Sequence, residues 1–467
     1  MATVVYQIFV DRFARGGTAV TAGLRGWDEL PEEPPRGVDR FGGDLDGIAA
    51  HLDHVVALGA DALYLTPIFC APSNHKYDTT DFDRVDPDFG GDAAWDRLVV
   101  AARARGLGLI LDGVFNHVSE HHPWVTAAGH RFRGSAWRGY GNLRELALTH
   151  PEVDDTLFGD DGVVARWTRR GATGWRLDCA NDLGPEACRR AAHAARRAGA
   201  VDGVVGEVMA YPTGWAEEGG LDGVMNYWLR SAALALASGR APAAQIQAAL
   251  DRLVAEMPPV ALARSWSILS THDTPRLATV LASDPEGGAA NDATVAARVR
   301  LAFALQLAYP GKPLLYYGEE IGMRGGPDPA NRVPMRWERA AWDEARLAFV
   351  RRCAQLRRAL PALGPDGRYV PLPQPGTDVV CFARVTPRPT ETLIFVANAA
   401  GAPRSARLFL ALPHLYDALP LVDELDPTAA PLRVEAGTVD VALPPHGALL
   451  LGVRDDHPSG YRFFKGV

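Results

Sequence analysis

GWRLDCAND, residues 174–182, begins as a short apolar strand and ends in charge. Arg176 and Asp178 lie two positions apart, so along an extended chain their side chains point to the same side. A buried strand gains nothing from a charged pair unless it runs out into a site.

Outward from this stretch, short apolar runs alternate with amphipathic ones. TVVYQIFV (3–10), ADALYLTP (60–67) and GLILDGVFNH (108–117) precede it, and GVVGEV (203–208), GVMNYW (223–228), SWSILSTHD (265–273) and KPLLYYG (312–318) follow. Helical spacing recurs between them: LDGIAAHLDHVVALG (45–59), 93–105, 156–170, PEACRRAAHAARRAG (185–199), AAQIQAALDRLVAEM (243–257), ATVAARVRLAFALQLAYP (293–310) and 340–360. Eight strand–helix units in series predict an α/β fold, a (β/α)8 TIM barrel over 1–367. An open doubly wound sheet would give the same alternation. A short irregular insertion rich in Trp, His and Gly follows the third strand at about 118–150. Over 368–467 the helical signal stops and runs such as VVCFARVT, TLIFVANA, SARLFLAL and GALLLGV predict a C-terminal antiparallel β-sandwich domain.

Bulk properties narrow the function. With 467 residues and 47% hydrophobic content the chain buries a large core, and a net charge of −8 without long charge runs argues against nucleic acid or an anionic membrane as partner. No apolar run is long enough to span a bilayer, and the N-terminus lacks a signal-peptide pattern. Five cysteines, an odd number without CxxC spacing, read as reduced thiols, and a cytoplasmic location is expected.

In a parallel barrel the chemistry sits at the C-terminal strand ends. There the sequence places Asp112, Asn116 and His117 after the third strand, Arg176 and Asp178 after the fourth, Glu207 after the fifth, and His272 and Asp273 after the seventh. Three carboxylates converging without a metal cage suit glycoside hydrolysis, in which one attacks the anomeric carbon and another protonates the leaving oxygen. Arg176 would then keep Asp178 ionised and aimed. His121 and His122 lack metal-site spacing and are expected to be structural. Cys179 is expected to face away from the site by strand alternation. Trp124, Trp137 and Trp228 could line a sugar cleft or belong to the core.

The same residues carry a resemblance to the α-amylase family of glycoside hydrolases. DGVFNH (112–117), GWRLDCAND, GEV (206–208) and LSTHDTPR (269–276) are similar to its signature segments in order, as are YDTTDFDRVDPDFG (77–90) and YYGEEIGM (316–323). The wording YQIFVDRF, GWRLDCAND and DPANRVPMRW is most similar to cyclomaltodextrinases, neopullulanases and maltogenic amylases. The resemblance implies Asp178 as nucleophile, Glu207 as acid/base and Asp273 as the third catalytic carboxylate. It implies substrate contacts from Tyr77, His117, Arg176, His272, Asp328 and Arg332, with Asp112 and Asn116 in support. The implied substrate is an α-glucan or maltooligosaccharide, with an α-glucosidase, a transglycosylase or trehalose-forming isomerase, and a non-catalytic glucan binder as alternatives.

Three departures shape further expectations. Those relatives carry an extra N-terminal β domain that helps them dimerise, whereas this sequence starts at strand one, so a monomer is expected. Met209 stands where they usually carry an aromatic. Their calcium loop after strand one corresponds to ARGGTAVTAG (14–23), which has no carboxylate, so no calcium is expected there and no cofactor is required.

Overall fold

The computed structural model describes residues 3–17, 23–27, 38–127, 129–283 and 288–454. Residues 18–22 of the strand-one loop therefore lie outside the described residues. Eight parallel strands close into a barrel: β1 (Val5–Ile8), β2 (Ala62–Leu65), β3 (Gly108–Gly113), β4 (Gly174–Leu177), β5 (Gly203–Gly206), β6 (Gly223–Asn226), β7 (Trp266–Ile268) and β8 (Lys312–Tyr316). Each strand pairs with its sequence neighbours, and β8 closes onto β1.

Alternation along the strands separates two apolar layers. Val5, Tyr64, Ile110, Val205, Met225, Trp266 and Leu314 fill the barrel interior, while Tyr6, Leu63, Leu111, Trp175 and Val204 pack outward into the larger core beneath the helices. With Trp175 outward, Arg176 is inward, and the register sets it beside Asp112 on β3 and Val205 on β5.

The apolar runs overstate the strands because the chain stays buried after leaving the sheet. TVVYQIFV yields strand only over Val5–Ile8 before a helical turn at Val10–Phe13. GVMNYW ends as strand at Asn226, whose side chain accepts from the Leu229 amide and caps a helix, Tyr227–Ser238, that the sequence reading did not separate. The 45–59 stretch divides at His51 into Leu45–Ala50 and Leu52–Leu58. The helix expected near 156–170 is two, Pro151–Phe158 and Val163–Arg169, separated by a turn that includes Gly159 and Gly162. The insertion after β3 is more regular than expected, with His117–Ser119, Phe132–Ala136 and Leu143–Leu146 forming a three-stranded sheet.

After the last barrel helix, Glu344–Ala359, the C-terminal strands are β9 (Arg368–Pro371), β10 (Val379–Val385), β11 (Leu393–Asn398), β12 (Arg404–Phe409), β13 (Pro420–Asp423), β14 (Leu432–Arg433), β15 (Thr438–Leu443) and β16 (Ala448–Val453). A six-stranded sheet in the order β9-β10-β11-β16-β13-β14 faces a β12–β15 ribbon. β10 is buried on both faces for a reason. Val380 and Phe382 join the core shared with the barrel, whereas Cys381, Ala383 and Val385 pack with Leu408, Val439 and Val441 of the ribbon. Gln247 accepts from the Cys381 amide (2.9 Å), and buried Arg384 donates to the carbonyl of Ala308 (2.9 Å), so the sheet is bonded to the barrel helices. All five cysteines are free, and among the described residues no helix is long and apolar enough to cross a membrane.

Gly223 starts β6 where a Cβ would lie 2.6 Å from the Ser265 nitrogen and 2.7 Å from the Arg264 carbonyl carbon. Backbone cannot give way there as a flexible side chain can. Gly223→Ala is predicted to lower stability in urea unfolding by about 1–3 kcal/mol; an unchanged midpoint would contradict this close approach.

Candidate active site

The C-terminal strand ends open into a cleft of about 520 Å³, lined among others by Tyr77, His117, Asp178, Glu207, Asp273, Asp328 and Arg332. A second cavity, of about 380 Å³, lies at the opposite end of the barrel around Asp61, Arg103 and Asp202, away from these groups.

Arg176 is fully buried and stands at the centre of the polar cluster. Its Nη1 donates to Asp112 Oδ1 and Asp178 Oδ1, both at 2.8 Å. Its Nη2 lies 2.9 Å from Glu207 Oε1, close enough for an ion pair but not aligned as a hydrogen bond. Burial works against the guanidinium's charge, and the anions of Asp112 and Glu207 more than offset it, so Arg176 stays charged. One cation facing three carboxylates leaves the buried cluster short of positive charge. Burial pushes the Asp178 carboxyl up to about 8, against the pull of Arg176 and with Glu207 and Asp112 adding to the rise. Burial likewise raises Asp112. Carboxylates held this close on one guanidinium titrate as a unit and not singly.

A chain of hydrogen bonds orients the polar groups that line the cleft. Gln7 Nε2 on β1 donates to His272 Nδ1 (2.7 Å), leaving Nε2–H to donate to Tyr77 Oη (2.6 Å). The Tyr77 hydroxyl in turn donates to Asp112 Oδ2 (2.7 Å), which also accepts from Tyr64 (2.6 Å). The Tyr77 and His272 rings lie parallel, 4° apart. Asp273 sits 3.1 Å from His272 Nε2 and accepts from Arg332 (3.1 Å), which also pairs with Asp328 (3.0 Å). Asn331 and Arg332 both donate to the His272 carbonyl, fixing the loop after β8 onto the end of β7.

His117 stacks on Trp137 (4.6 Å, 19°), its Nδ1 is 3.4 Å from Asn116 Nδ2, and its Nε2 is buried with no partner. Trp137 is thus a cleft residue, anchored by Asp182 (3.0 Å), whereas Trp124 and Trp228 pack against the core outside the cleft lining. His122 is buried against Phe82 and Trp124.

One expectation is corrected. Cys179 does not continue the strand alternation, because it adopts a left-handed conformation (φ 38°) at the turn into the helix Ala180–Arg197. Its side chain therefore lies beside Asp178 in the cleft instead of facing away. Its amide donates to Glu207 Oε2 at 2.9 Å. The sequence reading also missed Gln7, Tyr64, His75 and Tyr227, whose hydroxyl is 3.4 Å from Glu207. Each is polar within an apolar run or next to a glycine-poor loop, a pattern that carries no motif.

The family model for the α-amylase catalytic domain matches residues 7–140 and 126–350. The chain is 32% identical to a cyclomaltodextrinase of Geobacillus thermopakistaniensis over 97% of its own length and 77% of that protein. It is 34% identical to neopullulanase 2 of Thermoactinomyces vulgaris, covering 77% of this chain and 63% of the relative. Among solved structures, the cyclic α-maltosyl-(1→6)-maltose hydrolase of Arthrobacter globiformis superposes with a TM-score of 0.80 at 28% identity, covering 97% of this chain and 98% of the other.

The buried imidazoles give a direct electrostatic test. Burial, which disfavours the charged ring, lowers His75, His117 and His122 to about 4 and His272 well below its usual value. These four rings are predicted to stay neutral down to roughly pH 5, below the ordinary histidine range. NMR of imidazole-labelled protein checks this; a ring among them titrating in the ordinary range would contradict the burial.

Proposed function

Because this chain belongs to the α-amylase family of glycoside hydrolases, we propose that it is a retaining α-glucan hydrolase. It cleaves α-1,4-glucosidic bonds of starch, maltooligosaccharides or cyclodextrins and releases maltose or similar short products. The observation that carries this reading is one buried guanidinium, Arg176, in contact with Asp112, Asp178 and Glu207 at the mouth of the barrel. Carboxylates gathered on a single cation favour the close spacing, roughly 5–5.5 Å, of retaining enzymes over the wider spacing that admits a water.

Asp178 attacks the anomeric carbon while the glycosidic C–O bond breaks and Glu207 gives its proton to the leaving oxygen. Glu207, now anionic, takes a proton from water, whose oxygen displaces Asp178 from the same carbon. Two inversions restore the α configuration. Arg176 holds Asp178 by a charge-assisted hydrogen bond but touches Glu207 through charge alone, so the acid/base is freer to exchange its proton. Asp273, His272 and the unpaired Nε2 of His117 supply hydrogen bonds to sugar hydroxyls, Tyr77 offers a ring face, and Asp328 and Arg332 line the approach to the next glucose. The chemistry needs no cofactor, since both transferred proton and nucleophile come from side chains. Met209, 55% exposed on the cleft wall, leaves the acceptor side without an aromatic platform. Five free thiols support a cytoplasmic setting.

Proton NMR of maltotriose digestion is predicted to show α-anomeric maltose first; β-anomeric product would overturn Asp178 as nucleophile. Glucose alone or longer transfer products would instead indicate an α-glucosidase or transglycosylase on the same carboxylates. β-Cyclodextrin, starch and cyclic maltosyl-maltose in parallel tubes rank the substrates. Because Glu207 also serves the second step as base, its acid role is read in kcat/KM, which reports the first step: Glu207→Gln is predicted to lower kcat/KM for maltotriose by about 10²–10⁴ while sparing that of a nitrophenyl maltoside, whose leaving group needs no proton. Equal losses on both would remove Glu207 from the acid role. Asp178→Asn is predicted to abolish turnover with an unchanged far-UV circular dichroism spectrum.

A further inference from the structure

The turn at Cys179 places a thiol where the expected glucan chemistry has no use for one. A ring nitrogen of His117, a carboxylate oxygen of Asp178 and Cys179 Sγ all lie within 4.8 Å of one another, and all three residues are buried. The His117 Nε2 has no hydrogen-bond partner, and Nδ1 lies 3.4 Å from the Asn116 side-chain amide, which, turned to present its oxygen, accepts the Nδ1 proton and leaves Nε2 its lone pair for a ligand.

We propose that this triad is a binding site for a thiophilic divalent cation of the zinc class, which occupies the floor of the cleft and excludes the glucan. One sulfur, one imidazole nitrogen and one carboxylate oxygen, with a fourth position open to the cleft, form a donor set suited to zinc and foreign to calcium or magnesium. Bond lengths of about 2.0–2.3 Å to a tetrahedral ion require the three donors to draw together by at most about 1–1.5 Å. The cleft still favours a cation: Asp178, Asp182, Glu207, Asp273 and Asp328 line it against Arg138 and Arg332, with Arg176 buried behind Asp178 and Glu207. Binding forms the metal–sulfur bond as the thiol releases its proton to solvent. Burial and the neighbouring Asp178 carboxylate both hold that proton on the thiol, so the ion's charge must displace it. Exclusion of glucan, as distinct from the site itself, rests on the proposed function, since His117 and Asp178 would have to serve both ligands.

Reduced, metal-free full-length protein titrated with Co2+ tests the site without turnover. The expected result is the visible spectrum of four-coordinate cobalt with a near-ultraviolet thiolate-to-cobalt band, displaced by Zn2+ and absent in Cys179→Ser. Cys179→Gly, which suits the left-handed backbone, provides a second variant should the serine protein fold poorly. Zn2+ is further expected to inhibit maltotriose hydrolysis competitively, with the inhibition constant weakened on the order of tenfold or more in either variant. A cobalt spectrum lacking the thiolate band, as the surface group His130, His150 and Glu152 would give, overturns the proposal. So does a band that survives in both variants, or zinc inhibition unchanged in them. A Cys179-dependent band in a protein that turns over no glucan upholds the metal site and removes the functional reading instead.

Discussion

The ion-pair cluster around Arg176 is the constraint on which the site depends. A buried guanidinium is costly unless anions surround it, and breaking such a cluster leaves uncompensated charge in a medium that solvates it poorly. The barrel supplies the anions by register: Asp112 is directly opposite Arg176 across the β3–β4 pair, and Glu207 leaves β5 on the other side. Three strands must therefore close in one register for one side chain to be satisfied. Two of the carboxylates that neutralise the arginine, Asp178 and Glu207, are the ones proposed to cleave the bond, so stability and function constrain the same atoms.

Around that cluster, burial divides the polar groups into charged and neutral. The carboxylates share one guanidinium, with burial raising Asp178 and Asp112, while the imidazoles are held uncharged and serve as directed donors and acceptors. The Gln7–His272–Tyr77–Asp112 chain runs from β1 to β3 across the barrel mouth, each link donating to the next. Such a network in a low-dielectric setting fixes orientation before any ligand arrives. The charge bias of the cleft follows from the same arrangement: its arginines are engaged with its own carboxylates, and an excess of acid remains.

How much of this was legible depended on whether the signal was periodic or positional. Eight apolar runs at barrel spacing identified the architecture, because parallel strands buried on both faces leave uninterrupted Val, Ile and Leu. Asp178, Glu207 and Asp273 were legible because charge at the end of an apolar run is unusual. The helix Tyr227–Ser238 was hidden since its cap, Asn226, sits inside what reads as a strand. The sheet of the insertion was hidden because Phe132–Ala136 and Leu143–Leu146 are half-exposed and lack alternation. Gln7 and Tyr64 are single polar positions within buried strands, and only the closed barrel shows that they point to its centre.

Cys179 exposes a limit of another kind, since alternation fails wherever the chain leaves the sheet. The strand has to turn immediately after Asp178 for the next amide to reach Glu207 Oε2, and that contact ties the ends of β4 and β5 together. The turn puts a residue with a Cβ into the left-handed region, a conformation costing roughly 1–2 kcal/mol outside glycine. Backbone strain of this order persists where surrounding contacts over-determine it. Here those contacts are Arg176 on Asp178 from one side and the Glu207 carboxylate on the amide from the other. The thiol's position in the cleft is thus a consequence of aligning two carboxylates, which is why a residue expected to pack behind the strand stands in front of it.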